Sequence, residues 1–343
     1  MMRKTAIICI ALSAWLTCRV MAQQTVDIHC HNILPDFVNA LDAHGAALDE
    51  TFPLPDWSME SHLKFMDSAG IKISVLSMPA PQPYFGNAKE CHDIIRKYNE
   101  HTATICNENP ERFKFVAALP LPDIQLSIEE ATYAFNTLGA VGVKLATNSL
   151  GQYLGDEELD PLMQVLNQHK AVVFIHPHKP TPVNDNIIDI APLAIYEYPA
   201  ETTRAVINMI ARNVPARYPN IKWIIPHCGS FLPMAILRMK AVLPVMVAEG
   251  LMQPVDFDAN LAQFYYDLAG APSIEAIESM LTITTPDHIM YGSDYPYQPA
   301  TALVPGINRL EQMLLNNNQL SQYKSLFFTE NALKIFSLHK NEK

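Results

Sequence analysis

Two histidines stand two apart in VDIHCHN, His29 and His31, and three further polar side chains follow at long intervals: His176 in VVFIHPH, His227 in WIIPHCG and Asp294 in IMYGSDYP. Each ends a short run of Val, Ile, Met or aromatic residues, and Pro, Gly or Asn comes soon after. Such a run reads as a strand buried on both faces, and the turn residue marks its end. Side chains able to bind a metal, set at strand ends across more than two hundred residues, need a fold that gathers strand ends. A (β/α)8 barrel does this, because all eight strands deliver their C-terminal ends to one face.

The rest of the chain fits that architecture. Strand candidates are 25–29, 71–77, 113–118, 141–145, 171–176, 221–225, 264–268 and 289–291. Helical spacing occupies 87–107, 127–138, 156–168, 202–212, 231–247 and 273–281. Alternating strands and helices predict a parallel sheet closed into a barrel. Two stretches break the repeat: 32–56, with no clear period, and the Pro- and Asn-rich 178–199. Both leave the top face in this arrangement and are expected to roof the pocket.

Residues 1–22 read as a secretory signal, with Arg3 and Lys4 leading, an apolar stretch to Cys18 that is short for a membrane span, and Val20-Met21-Ala22 as the cleavage site. Export to the periplasm or medium is the expectation, with 23–343 forming one domain and no membrane span. Cleavage would remove Arg3, Lys4 and Arg19 and make the formal charge of −11 more negative by three. An acidic surface argues against nucleic-acid binding, which wants a basic face. An anionic small molecule stays admissible, because a local cation can reverse the field in a pocket. Cys30, Cys91, Cys106 and Cys228 show no disulfide framework and read as buried filler.

In an extended segment residues two apart point the same way, so His29 and His31 can grip one ion, and His176, His227 and Asp294 recur at later strand ends as candidates to join them. Nitrogen donors with one carboxylate suit a divalent ion, zinc first and manganese as the alternative. Asp27 is expected on the same face one layer lower, as a hydrogen-bond partner for a ligand imidazole. His178 shares a face with His176 but lies among Pro177 and Pro180, and is read as a pocket residue. His44, His62, His92, His101, His169, His288 and His339 are read as residues without partners. In GAVGVKLAT, Lys144 closes an apolar strand. Pairing with a substrate carboxylate is favoured over a carboxylated amine bridging two metals and over a solvent-seeking side chain.

With these residues placed, the sequence resembles the amidohydrolase superfamily, in its branch of metal-dependent decarboxylases and hydrolases, and there most of all the aminocarboxymuconate-semialdehyde decarboxylases. The matches are His29-Cys30-His31, Pro120-Leu121-Pro122-Asp123, Pro199-Ala200-Glu201-Thr202-Thr203, Pro226-His227-Cys228-Gly229, Tyr291 to Pro296, and Glu330-Asn331-Ala332. The resemblance implies a single divalent ion on His29, His31, His176 and Asp294. It makes His227 an acid/base and polarising group, and Asp294 both a ligand and a proton relay. It implies a homodimer in which Arg238 reaches into the neighbouring pocket to grip a substrate carboxylate. Two departures stand out: 32–56 holds no arginine or lysine, and no aromatic plainly matches the one expected just before Pro199, although Tyr196 and Tyr198 lie nearby. The reaction implied is decarboxylation of a small unsaturated or aromatic acid. The alternative is hydrolysis of an ester, lactone or amide by metal-activated water.

Overall fold

The computed structural model describes residues 24–183, 191–270 and 272–338. The expected signal segment lies outside them, as does His339. Eight strands run in one parallel sheet: β1 (Thr25–His31), β2 (Ile71–Ser77), β3 (Phe113–Ala118), β4 (Gly142–Ala146), β5 (Val172–His176), β6 (Lys222–Ile225), β7 (Phe264–Asp267) and β8 (Ile289–Met290). Their order in space is their order in sequence. The ring closes where Ile28 N donates to Tyr291 O and His31 N to Tyr295 O. The barrel read from the sequence is the fold observed.

Two apolar layers hold it. Val26, Ile28, Val75, Val116, Val172, Phe174, Ile224 and Met290 fill the interior, and Ala332, Ile335 and Phe336 of the last helix pack against them. The outer faces of the strands meet the surrounding helices in a larger cluster that includes Phe65, Ile95, Met163, Met209, Trp223 and Leu310. Each such aliphatic or aromatic side chain contributes about 1.5–3 kcal/mol on burial.

The helices start where side-chain acceptors cap them. Asn87 takes Glu90 N at the head of Ala88–Glu108, and Asp123 takes Leu126 N ahead of Ile124–Tyr133. Six described α-helices lie outside the predicted set, three of them short: Val214–Arg217, Phe257–Leu261 and Asn331–Ile335. Pro35–Ala43 forms inside 32–56, with Pro35 in its first turn and Phe37 and Leu41 on its buried side. Met59–Ala69 rests on a Ser58 capping box, and Ala300–Asn316 follows β8. Thus 32–56 is partly helical, and only its second half is the irregular excursion expected. None of the described helices is long and apolar enough to cross a membrane.

One irregularity re-aims the site. On β1 the step from Asp27 to Cys30 is matched on β2 by the shorter step from Ser74 to Leu76. The extra residue is a bulge, which shifts side-chain parity within a strand. Asp27 therefore does not share a face with His29 and His31, as the simple alternation predicted. It binds the chain end of the barrel instead, accepting from His29 N, Ser293 N and Ser293 Oγ. Gly292 explains the tight passage there: a Cβ on it would stand 2.7 Å from His29 Cβ.

Candidate metal centre

One atom each from His29, His31, His176 and Asp294 lies within 4.8 Å of every other. The three histidines are buried, and each ring is fixed through Nδ1. His29 Nδ1 meets Asp267 Oδ2 at 2.7 Å, His31 Nδ1 meets Ser77 Oγ at 3.0 Å, and His176 Nδ1 meets Pro177 O at 3.0 Å. Holding Nδ1 in this way leaves Nε2 free to ligate. His29 Nε2 and His31 Nε2 are buried with no hydrogen-bond partner. They stand 3.4 and 3.3 Å from Asp294 Oδ1. Donors each about 2.1 Å from one ion in a tetrahedron lie about 3.4 Å apart, so the spacing fits a bound cation. Burial works against charge on His29, yet Asp267 and Asp294 hold it up at about 10. The two carboxylates call for positive charge at this point.

His227 lies apart from that ligand set, with Nε2 3.7 Å from the other oxygen, Asp294 Oδ2. Burial pushes Asp294 upward, but His29 and the bonds from His227, His29 and His31 keep it well below the ordinary carboxylate range. Both turns are strained. His227, Cys228 and Ser230 all have positive φ, as does Asp294 at 62°. Non-glycine residues adopt this region at a cost of about 1–3 kcal/mol, and such sites cluster where function needs them.

Asp267, not Asp27, is the carboxylate that orients a ligand ring. Its second oxygen accepts from His227 N at 2.9 Å and Ala269 N at 3.0 Å. One side chain thus aims a ligand and anchors the turn that carries His227. Its only sequence mark is an acid ending the seventh apolar run. Asp267→Asn should weaken metal binding about 10–100-fold, read by competition with a chromogenic chelator.

The described parts of the two excursions meet over the site, while 184–190 of the second lies outside the described residues. Glu50 is buried and accepts from Lys179 N and Tyr198 Oη, both at 3.0 Å, while Thr51 Oγ accepts from Leu193 N. Burial raises Glu50 to about 7. Phe52 sets its ring edge against Tyr198 and Tyr297, and Tyr297 stands 5.4 Å from the His31 ring. The barrel side is closed by Phe174, 4.8 Å from His29. Of Phe52, Tyr198 and Tyr297, only Tyr198 was pointed to by the sequence, as one of two tyrosines near the position where an aromatic is sought.

Lys144 is buried, which removes the solvent-seeking alternative, and its Nζ lies 3.3 Å from His178 Nε2. His178 is a pocket residue outside the ligand set. Arg238 is exposed on Leu232–Ala248. Several histidines expected to lack partners have them: His44 meets Glu90, His92 meets Glu130, and His62 accepts from Trp57. None joins the ligand set. The four described cysteines are free thiols.

The family model described as amidohydrolase matches residues 26–338. The decarboxylase yanB of Aspergillus niger is 33% identical over 91% of this chain and 87% of its own. A 6-methylsalicylic acid decarboxylase of Penicillium expansum is 30% identical over 83% and 89%. The 2-amino-3-carboxymuconate-6-semialdehyde decarboxylase of Dictyostelium discoideum is 27% identical over 83% and 78%. The crystal structure of an amidohydrolase II superposes with a TM-score of 0.83 at 29% identity, covering 91% of this chain and 99% of that one. With its barrel, its converging histidines and these relatives, the chain belongs to the amidohydrolase family.

Proposed function

We infer that the chain is a metal-dependent carboxy-lyase acting on a small aromatic or unsaturated acid, with hydroxybenzoates as the first class to try. The observation that carries this reading is the division of Asp294. Oδ1 faces the two Nε2 atoms of β1, and Oδ2 faces His227. One oxygen can serve the ion while the other handles a proton. Relatives that share most of the chain are decarboxylases.

His29, His31, His176 and Asp294 would hold the ion, zinc or manganese. When bound it supplies positive charge that orients the substrate and offsets charge developing on it. The chain's own residues do the rest. Phe52, Tyr198 and Tyr297 exclude water and give a flat ligand aromatic surfaces. A proton handed over by His227 passes through Asp294 Oδ2 to the carbon that bears the carboxylate. The bond from that carbon to the carboxylate then breaks, its electron pair stays with the carbon, and carbon dioxide leaves. Solvent water restores the proton to His227. The test is a panel of hydroxybenzoates and muconates with the carboxylate carbon labelled. Labelled carbon dioxide supports the reading. An inert panel, together with oxygen from labelled water appearing in cleaved esters, lactones or amides, replaces it with hydrolysis.

A homodimer with a shared pocket belongs to the same reading. Arg238 stands on a helix whose Met234, Leu237, Val242, Val245 and Met246 are exposed. An apolar face of this kind is a surface for a second copy, and a guanidinium fork suits a carboxylate. Mixing Arg238→Ala with His176→Ala chains should restore activity in the hybrid dimer, since one pocket then has both its ion and its arginine. Hybrids that form, by mass spectrometry, yet stay inactive would rule the shared pocket out. Export is supported by the pattern of residues 1–22 and is checked by sequencing the N-terminus of the mature protein.

A further inference from the structure

We propose that Lys144, with His178 beside it, binds a second oxygen-bearing group of the substrate, apart from the carboxylate that leaves. This rests on the decarboxylase reading of the same pocket. The substrate is then an acid with a ring hydroxyl or a second carboxylate, held at both ends.

Strand parity places the lysine. Val143 and Leu145 pack in the outer layer, so Lys144 turns inward. Its partners in register are Ala118 and Phe174, and Phe174 lies in the interior layer. In a closed ring of eight, β4 stands opposite β8. Lys144 and Asp294 therefore approach the mouth from opposite walls, with the metal ligands of β1 and β5 between them. A ligand whose reacting carbon rests at Asp294 has its far side toward Lys144.

Among the described residues the ammonium forms no ion pair. Lys144 is 2% exposed, and its one hydrogen-bond contact among the described residues is His178 Nε2. The roof carboxylate Glu50 accepts from Tyr198 Oη and Lys179 N through one oxygen, and it attracts Lys144 without forming an ion pair with it. A buried ammonium without an anion is costly, and a fold gains nothing from one that apolar packing would not supply better. A ligand that brings the anion accounts for it. Burial alone pushes Lys144 down to about 7, against the pull of Glu50. An opening is at hand: His178 also lines a cavity of about 80 Å³ with Glu50, Gln82, Asn148 and Lys179. Segment 32–56 holds no lysine or arginine, and Lys179 is already paired with Asp49, which leaves Lys144 for the ligand.

The test compares wild type with Lys144→Met, both metal-loaded, by calorimetry with benzoate, 3-hydroxybenzoate and benzene-1,3-dicarboxylate. Lys144→Met should weaken one or both of the doubly substituted acids about 10–100-fold, the worth of a hydrogen bond to a charged group, and benzoate less than about 2-fold. The acid that loses affinity identifies the group, hydroxyl or carboxylate. Without ligand, Lys144→Met should melt higher than wild type at neutral pH, because a lone buried charge is gone. A purely structural lysine predicts the reverse. If Lys144→Met does not fold, Lys144→Gln carries the same comparison. Equal loss for all three acids, no loss for any, or a lower melting temperature overturns the proposal. Carbon dioxide release by wild type is scored separately. Selective binding through Lys144 without release would sink the decarboxylase reading alone, and release with unselective binding would sink this inference alone.

Discussion

Replacing His176 by alanine is expected to remove the ion and the activity together. His176 ends β5, and the cluster takes no other residue from that strand. Its ring lies 4.8 Å from that of His31 and 5.6 Å from that of His29, and Nδ1 is already engaged by Pro177 O. Losing an outer partner of a ligand costs about 10–100-fold in metal affinity. Losing the ligand itself should exceed that, by more than about 10³-fold. Elemental analysis should then find His176→Ala metal-free after dialysis that leaves wild type loaded. A binding ion stabilises the folded state by about 4 kcal/mol at a thousand times its dissociation constant. Added metal should therefore raise the melting temperature of wild type and leave that of His176→Ala unmoved. A loaded and active His176→Ala protein would mean that the ion is held elsewhere.

Asp294→Asn should be more damaging than His227→Asn. Asparagine at 294 keeps the shape but loses the charge that faces His29 and His31 and cannot carry the proton. Asparagine at 227 leaves the ligand set intact and removes a group 3.7 Å from Oδ2. Loss of one polarising group costs about 10²–10³ in rate. His227→Asn should retain full metal content with slow release of carbon dioxide, and Asp294→Asn should fall to background in both. If Asp294→Asn instead stays loaded and turns over faster than His227→Asn, Asp294 is not the proton relay.

The barrel, and the residues that gather at the candidate metal centre, are legible because both are repeated signals. Each strand is a short apolar run, and each ligand sits at the end of one. What escaped depends on contacts between distant segments. The bulge in β1 exists only in register with β2, so alternation along β1 alone misplaced Asp27. Asp267 meets His29 across 238 residues, and an acid after an apolar run resembles any strand end. Glu50, Lys179 and Tyr198 join two loops whose sequences carry no common period. The helix Pro35–Ala43 offered only Phe37 and Leu41 on its buried side, too few for a clear period.

The central claim is that one divalent ion, held by His29, His31, His176 and Asp294, is required for decarboxylation. The direct measurement is titration of metal-stripped protein with zinc or manganese while labelled carbon dioxide is counted. Activity should rise linearly and level off at one equivalent per chain, with none from His176→Ala at any ratio. A plateau at two equivalents, or release that begins before any metal is added, would contradict the account.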